Sequence, residues 1–312
     1  MNLRRTETLL ALAGAVLLVL AAFSAPWLRF VLTVALAKGI AVLGILLLLR
    51  AGQVSFGHAL YLAFGAYSVA FLAPQVPEAL ILMPVAMLAS GALGLLVGLF
   101  VSRYREIFFG MLNLALSMVF YSLLEKLYHY TKGTDGIRVA VPRFLGMTLE
   151  RDQFEWALFG TTLVLALVIG FFVRLYLASP MGQALSAIKT RETRLEFMGL
   201  PARGVLLSAY VLSALMGGLA GSIIALTTRH VTPLLGYWTV SGELVFIAIL
   251  GGAGAVLGPF LGAITFELVR VYAAASFADA WQAILGLVLL GVILFFSRGL
   301  WGIVEGLRGK RA

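Results

Sequence analysis

The stretch FVLTVALAKGIAVLGILLLL, residues 30–49, decides the fold class of this chain. It is almost entirely apolar and has the length, about 20 residues, with which a helix crosses the hydrocarbon core of a bilayer. Its one charged residue, Lys38, must either extend to the interface or pair with a partner that the sequence does not identify, because an isolated ammonium group in hydrocarbon is costly. Residues 30–49 therefore predict a transmembrane α-helix.

Apolar segments of this kind recur along the whole chain. Hydrophobic residues make up 62% of the 312 residues and charged residues only 12%, which is too little polar surface for a water-soluble domain. Ten apolar segments lie between residues 8 and 296, and they are continuous rather than alternating, which argues against a transmembrane β-barrel. We predict an all-α, polytopic transmembrane bundle of about 8–10 spans. Residues 1–312 are expected to form a single membrane domain.

The basic residues predict how the chain lies in the membrane. The net charge of +9 reflects Lys and Arg residues that flank the spans rather than a surface for nucleic acid. With the N-terminus in the cytoplasm, and the segment 8–25 retained as a span, most of the 23 Lys and Arg residues fall on the cytoplasmic side. Both termini are then cytoplasmic, residues 125–155 form an extracytoplasmic loop, and residues 179–203 lie on the cytoplasmic side.

Several kinds of chemistry are absent from the sequence. There is no cysteine, and the three histidines (His58, His129 and His230) have no metal-ligand spacing. No Gly-x-x-x-x-Gly-Lys-Ser/Thr phosphate loop occurs. We predict no catalytic residue, metal or cofactor on this chain, so any energy-converting machinery must lie in the spans or on other chains.

The cytoplasmic segment SPMGQALSAIKTRETRLEFMGLPAR, residues 179–203, has the pattern of a short amphipathic helix. Ser179 and Pro180 are a typical helix start, and Gly199 and Pro201 a typical stop. Such a helix either lies on the inner leaflet against membrane lipid or docks into a groove on a cytoplasmic protein. Its charges of both signs favour the protein partner.

A second group of candidates consists of polar residues that the spans carry to membrane depth, where they are often functional. We assign to a translocation pathway Gln53, Ser55, His58, Asn113, Ser117 and Ser213. The alternative is structural: the serines bond their own helices, Asn113 ties two helices together, and His58 is a buried hydrogen-bonding residue. Glu243 and Glu267 lie near the ends of their segments and are expected at the interface.

The stretch GGAGAVLGP, residues 251–259, joins two short apolar segments, 239–250 and 255–270. It predicts a helix break formed by Gly251, Gly252, Gly254 and Pro259. The two segments are either separate spans or a re-entrant pair, since broken helices at membrane depth are tolerated where protein or water covers the backbone.

Five stretches resemble a known family. They are GQVSFGHALYLAFGAY (52–67), LNLALSMVFYSLLEKLYHYTKGTDGI (112–137), SPMGQALSAIKTRETRLEFMGL (179–200), SGELVFIAILGGAGAVLGPFLGA (241–263) and SRGLWG (297–302). In this order they resemble the permease subunits of branched-chain amino acid ABC importers, in particular the LivM-like subunits. Gln183 and Lys189 stand where the family pattern has Arg, and Ser297 where it has Pro.

The resemblance implies a type II-like ABC importer permease of the inner membrane. A paralogous permease subunit would complete a heterodimer, two cytoplasmic ATPase subunits would bind ATP and Mg, and a soluble substrate-binding protein would deliver the solute. Residues 179–203 would be the cytoplasmic coupling helix, with docking contacts at Arg191, Glu192, Arg194 and Glu196 and apolar anchors at Leu195 and Met198.

The solute stays open at this point. The resemblance implies leucine, isoleucine and valine, but related permeases serve urea, short amides or aromatic acids. A different class, an ion-coupled secondary transporter, would require intramembrane acids, and no Asp lies within the assigned spans. A membrane-embedded enzyme is disfavoured, because Ser55 and His58 have no acid nearby to complete a triad.

Overall fold

The protein is represented by a computed structural model that describes residues 3–197, 199–276, 280–295 and 299–302. Its α-helices are, in chain order, α1 (Leu3–Ser24), α2 (Pro26–Arg50), α3 (His58–Leu72), α4 (Ala79–Val101), α5 (Glu106–Lys126), α6 (Tyr128–Thr131), α7 (Arg151–Ala178), α8 (Pro180–Phe197), α9 (Ala202–Thr228), α10 (Trp238–Gly251), α11 (Gly258–Ser276) and α12 (Trp281–Phe295). Two 3-10 turns (Gly133–Asp135 and Pro233–Gly236) and two short strands, β1 (Ile137–Arg138) and β2 (His230–Val231), complete the described elements.

The prediction of a polytopic helical membrane protein is confirmed. Six helices in the described ranges, α1, α2, α4, α5, α7 and α9, are long and apolar enough to cross a membrane. Three more, α3, α10 and α12, are apolar but shorter. One of the ten apolar segments, residues 54–73, is predicted as a span, and this is corrected because α3 begins only at His58 and residues 52–57 are not helical.

The centre of the bundle is formed by α2 and α9. In the most apolar 18-residue stretch of α2 all residues are buried, and in that of α9 83% are buried. In the corresponding stretch of α1 only 6% of the residues are buried. Around this pair pack α3, α4, α10 and α11, and α7 covers α2. A helix that is hydrophobic all round is expected in such a central position, since no face needs to be polar.

Glycines allow α3 to lie directly against α9. A methyl group added at Gly65 would collide with the carbonyl oxygen of Gly218, and one added at Gly221 would collide with the carbonyl oxygen of Leu62. Small residues at such crossings let backbones approach closely, which is the main source of helix association inside lipid. This close approach brings the polar residues of both helices within bonding distance.

The bundle has two ends that carry different structures. At one end, here called the α8 end, Arg50 of α2 donates to the carbonyl of Gly254 at 2.9 Å, and α8 packs against α2, α7 and α9. At the opposite end, here called the ladder end, β1 pairs antiparallel with β2. Arg29 of α2 forms an ion pair there with Asp152 at 2.7 Å. The segment between α5 and α7 therefore lies opposite α8 and runs over 127–150, narrower than the expected 125–155.

Candidate functional site

A buried polar network begins in the non-helical segment 52–57, at the α8 end. The side chain of Gln53 accepts a hydrogen bond from the backbone N–H of Glu106 at 2.7 Å and donates to the carbonyl of Ala51 at 3.4 Å. Glu106 has a positive φ of 51°, a conformation that is uncommon for a residue with a side chain. Gln53 therefore fastens the entry to α3 onto a strained turn at the start of α5.

His58, the first residue of α3, uses both ring nitrogens. Its Nδ1 lies 3.0 Å from the hydroxyl of Ser55, and its Nε2 is hydrogen-bonded to the hydroxyl of Ser213 on α9. The imidazole is 1% exposed, so these two serines supply its polar partners in place of water. His58 thus joins the 52–57 segment to α9.

A second branch of the network connects α3, α9 and α5. The Tyr61 hydroxyl donates to the Tyr210 hydroxyl at 2.8 Å, and the Tyr210 hydroxyl donates to the side-chain oxygen of Asn113. The amide of Asn113 donates in turn to the carbonyl of Phe109 at 2.8 Å. The two tyrosines were missed by sequence analysis, because tyrosine in membrane helices is more typical of the interfaces.

Two further serines hold α10 and the turn before it. Ser117 of α5 donates to the carbonyl of Gly236 at 3.1 Å, and Ser241 of α10 accepts from the backbone N–H of Ala59 at 2.9 Å. Neither Ser117 nor Ser213 bonds its own helix, unlike the structural alternative considered for them. The polar network therefore links α3, α5, α9 and α10.

The structure places all six predicted pathway residues in this buried network. Each is at most 3% exposed and hydrogen-bonded: Gln53, Ser55, His58, Asn113, Ser117 and Ser213. In this conformation the network holds helices in register, and a solute would reach these groups only if the helices separated.

The amphipathic segment forms α8, which has one face turned into the bundle. Ala184, Leu185, Ile188 and Leu195 are all buried. The expectation that Leu195 anchors a partner is corrected: it is only 1% exposed and packs inside the bundle. Phe197, two residues further on, is 92% exposed and is a large apolar side chain that α8 presents outward.

Glu192 on α8 is held by Arg105, which lies between α4 and α5. Two parallel hydrogen bonds of 2.7 and 3.0 Å join the guanidinium to the carboxylate, the fork geometry of a strong charge-assisted pair. Glu196 is exposed. The side chains of Arg191 and Arg194, and the whole of Met198, lie outside the described residues.

The predicted helix break lies between α10 and α11. Gly251 is the last residue of α10, Gly252 follows with a φ of +89°, and Pro259 is the second residue of α11. A methyl group at Gly251 would collide with the carbonyl oxygen of Gly258, so the two helices meet at backbone contact. Gly254 lies in the turn and accepts from Arg50.

A cluster of four charged residues lies between α2, α10 and α11. Lys38 is 3.0 Å from Glu243 and 2.5 Å from Glu267, and Arg270 lies 3.6 Å from Glu267 and 4.0 Å from Glu243. The expectation that Glu267 is interfacial is corrected, because α11 continues to Ser276 and Glu267 is 5% exposed inside the bundle. Lys38 therefore pairs rather than extending to the interface.

One protein family and several known proteins match this chain, and their descriptions agree. The family described as branched-chain amino acid transport system / permease component matches residues 27–296. The high-affinity branched-chain amino acid transport system permease protein LivM of Escherichia coli (strain K12) is 26% identical over 241 residues, 70% of this chain and 57% of the relative. LivM of Salmonella typhimurium shows the same identity and coverage.

A more distant relative is the probable branched-chain amino acid transport permease protein LivH of Methanocaldococcus jannaschii. It is 24% identical over 174 residues, 51% of this chain and 53% of the relative. The matches thus span little more than half the length of each curated relative, 57% for the two LivM proteins. No solved structure matches the chain.

Proposed function

The chain belongs to the branched-chain amino acid transport permease family, and on that premise we propose that it is the permease subunit of an ATP-driven importer. A paralogous permease subunit forms the other half of the pathway. Two ATPase subunits, which bind ATP and Mg, dock at the α8 end, and a soluble binding protein delivers the solute at the ladder end. The excess of Lys and Arg at the α8 end supports an inner-membrane orientation with both termini in the cytoplasm.

The observation that carries this proposal is the way α8 sits on the bundle. One face is buried against α2, α7 and α9, while Glu196 and Phe197 face outward at its C-terminal end. An outward phenylalanine and a neighbouring charge on a short helix suit insertion into a groove of a partner protein. Because α8 also joins α7 directly to α9, force on it reaches two long helices.

The contacts of α8 also support a route by which docking reaches the polar network. Glu192 holds Arg105, and the next residue, Glu106, is bonded through its backbone to Gln53. Lys189 of α8 packs on Gly52, because a methyl group added at Gly52 would lie 3.0 Å from the Cγ atom of Lys189. A shift of α8 would therefore pull on the 52–57 segment, to which His58 and Ser55 belong.

The proposed solutes are leucine, isoleucine and valine. The family description and the names of the relatives all specify branched-chain amino acids, which supports this choice over urea, short amides or aromatic acids. The ion-coupled alternative usually uses an intramembrane Asp or Glu whose negative charge binds the coupling cation. In the cluster of four charges the two carboxylates are balanced by two cations, so the cluster has no net negative charge for such an ion, which disfavours that alternative.

Site-directed cross-linking tests the docking proposal, because the chain contains no cysteine of its own. Phe197→Cys in the assembled complex should cross-link to an ATPase subunit through a short bifunctional thiol reagent. Leu145→Cys is the matched control, since Leu145 is 74% exposed at the ladder end. It should give no ATPase cross-link. Absence of an ATPase adduct at position 197 in an active complex would rule out this docking surface.

A further inference from the structure

Lys38, which contacts Glu243 and Glu267 in the cluster of four charges, lies near the middle of α2. Lys38 is nine residues along α2 from Arg29, which pairs with Asp152 at the ladder end, and twelve residues from Arg50 at the α8 end. At 1.5 Å per residue these separations are about 14 Å and about 18 Å, so Lys38 lies close to the mid-plane of a bilayer core about 30 Å thick. The route from α8 to the polar network does not include this cluster.

The cluster has an inner and an outer pair. Lys38 and Glu267 form the inner pair, with side chains only 7% and 6% exposed and a separation of 2.5 Å. Glu243 and Arg270 form the outer pair, with side chains 25% and 40% exposed and a separation of 4.0 Å, the longest in the cluster. The outer pair thus combines partial exposure with the weakest contact.

A partly exposed charged pair next to Lys38 requires an explanation. A charged side chain that faces lipid at the bilayer centre costs about 2.5–3.5 kcal/mol even on the mildest scale. Charged groups in spans therefore face the bundle interior or a water-filled cavity, and they mark solute and ion pathways. The exposed side of Glu243 and Arg270 is accordingly a candidate pathway surface rather than a lipid surface.

We infer that Glu243 and Arg270 form a binding site for the ammonium and carboxylate groups of a zwitterionic α-amino acid in transit; this inference rests on the proposed transport function. The Arg270 guanidinium can bind a carboxylate in the forked, bidentate manner. A carboxylate accepts about four hydrogen bonds. Glu243 therefore accepts from an ammonium group while it keeps its bond to Lys38. The solute inserts at the weakest contact of the cluster.

Charge balance and neighbouring side chains favour a zwitterion with an apolar side chain. Two cations and two anions sum to zero, so a zwitterion adds no net charge to a buried site. Phe246 lies on α10 three residues after Glu243 and is 45% exposed, which supplies an apolar contact on the same helix face. The Trp281 ring lies 5.6 Å from the Arg270 guanidinium. Urea and simple amides carry neither charge and would not use this site.

Uptake by the complete transporter in proteoliposomes tests this site. Glu243→Gln and Arg270→Gln should each lower kcat/KM for leucine at least about 10-fold, which corresponds to about 1.4 kcal/mol. Arg270→Lys, which keeps the charge but not the fork, should fall between wild type and Arg270→Gln. The matched control is Arg151→Gln, which removes an 83% exposed charge at the ladder end and should transport like wild type.

A second measurement does not depend on these variants folding. Phe246→Cys is the only cysteine in its chain, because the natural sequence has none. A membrane-impermeant thiol reagent should label this cysteine. Saturating leucine should slow the labelling at least about 10-fold. Urea, the control for non-specific effects, should not slow it. If position 246 is unlabelled, the face is covered by lipid or a partner subunit and the site is overturned.

The outcomes separate the inference from the function on which it rests. If the wild-type complex takes up no leucine, the proposed function fails. If the wild-type complex takes up leucine and both neutral variants do so with unchanged kcat/KM, the function stands and the amino-acid site is wrong.

Discussion

The ion pair between Arg105 and Glu192 makes a quantitative prediction about coupling. It is the charge-assisted contact between α8 and the turn that leads into α5, and it has two hydrogen bonds of 2.7 and 3.0 Å. The perturbations are Arg105→Gln, Glu192→Gln and the double variant, which together form a double-mutant cycle. The cycle isolates the interaction between the two side chains from their other contacts.

The size of the effect follows from the burial of the pair. Exposed ion pairs contribute about 0.2–1 kcal/mol, and hydrogen bonds to charged groups about 1.5–3 kcal/mol. Arg105 and Glu192 are 23% and 33% exposed, between these cases, so we expect an interaction free energy of about 1–2 kcal/mol. That is a factor of about 5–30 in the equilibrium that holds α8 against the turn.

The assay is the ratio of solute-stimulated to basal ATP hydrolysis in the reconstituted complex, measured together with thermal unfolding. Each single variant should reduce the stimulated rate several-fold, and the double variant should be no worse than the poorer single variant. Arg151→Gln removes another guanidinium–carboxylate pair, with Glu155, at the ladder end and serves as control. If the interaction free energy is below about 0.3 kcal/mol, or coupling is unchanged in both single variants, the proposed route through Arg105 is wrong.

Three further predictions concern packing and the polar network. Leu195→Ala should destabilise the chain by about 2–5 kcal/mol in thermal unfolding, whereas Phe197→Ala should leave stability unchanged and weaken ATPase binding; equal stability losses would contradict the assigned faces of α8. Gly221→Ala should prevent assembly because the methyl group meets a backbone carbonyl of α3, whereas Gly160→Ala, with no neighbour within 4 Å, should be tolerated. His58→Leu should cost about 1–3 kcal/mol, because two buried serine hydroxyls lose their partner; reduced uptake with unchanged stability would instead indicate direct solute contact.

Sequence composition was sufficient for the fold class, since a chain with so many long apolar runs has few alternatives to a helical bundle. It was not sufficient for the limits of α3. Residues 54–57 belong to the predicted segment 54–73, but Gly52 at φ +75° and the bonds of Gln53 and Ser55 hold residues 52–57 outside the helix. The partner of Gln53 is Glu106, which is 53 residues further along the chain, so no local sequence pattern contains it.

Six residues of the polar network were predicted from the sequence, but its two tyrosines were missed and the arrangement was not predicted. The sequence left open whether Lys38 extends to the interface or pairs, because its partner Glu243 is more than two hundred residues away and depends on how α2 meets α10. On α8, Leu195 and Phe197 are both apolar and two residues apart, so they point in different directions. Which of them faces the bundle is decided by the seating of the helix, a tertiary feature that one amphipathic pattern leaves open.

The most direct test of the central claim is the energy source for leucine uptake. The chain is reconstituted in proteoliposomes with its paralogous permease, the two ATPase subunits and the binding protein, and uptake of radiolabelled leucine is measured. We expect uptake that requires hydrolysable ATP and persists when ionophores abolish proton and sodium gradients. Uptake that runs on an ion gradient in the absence of ATP would contradict the account.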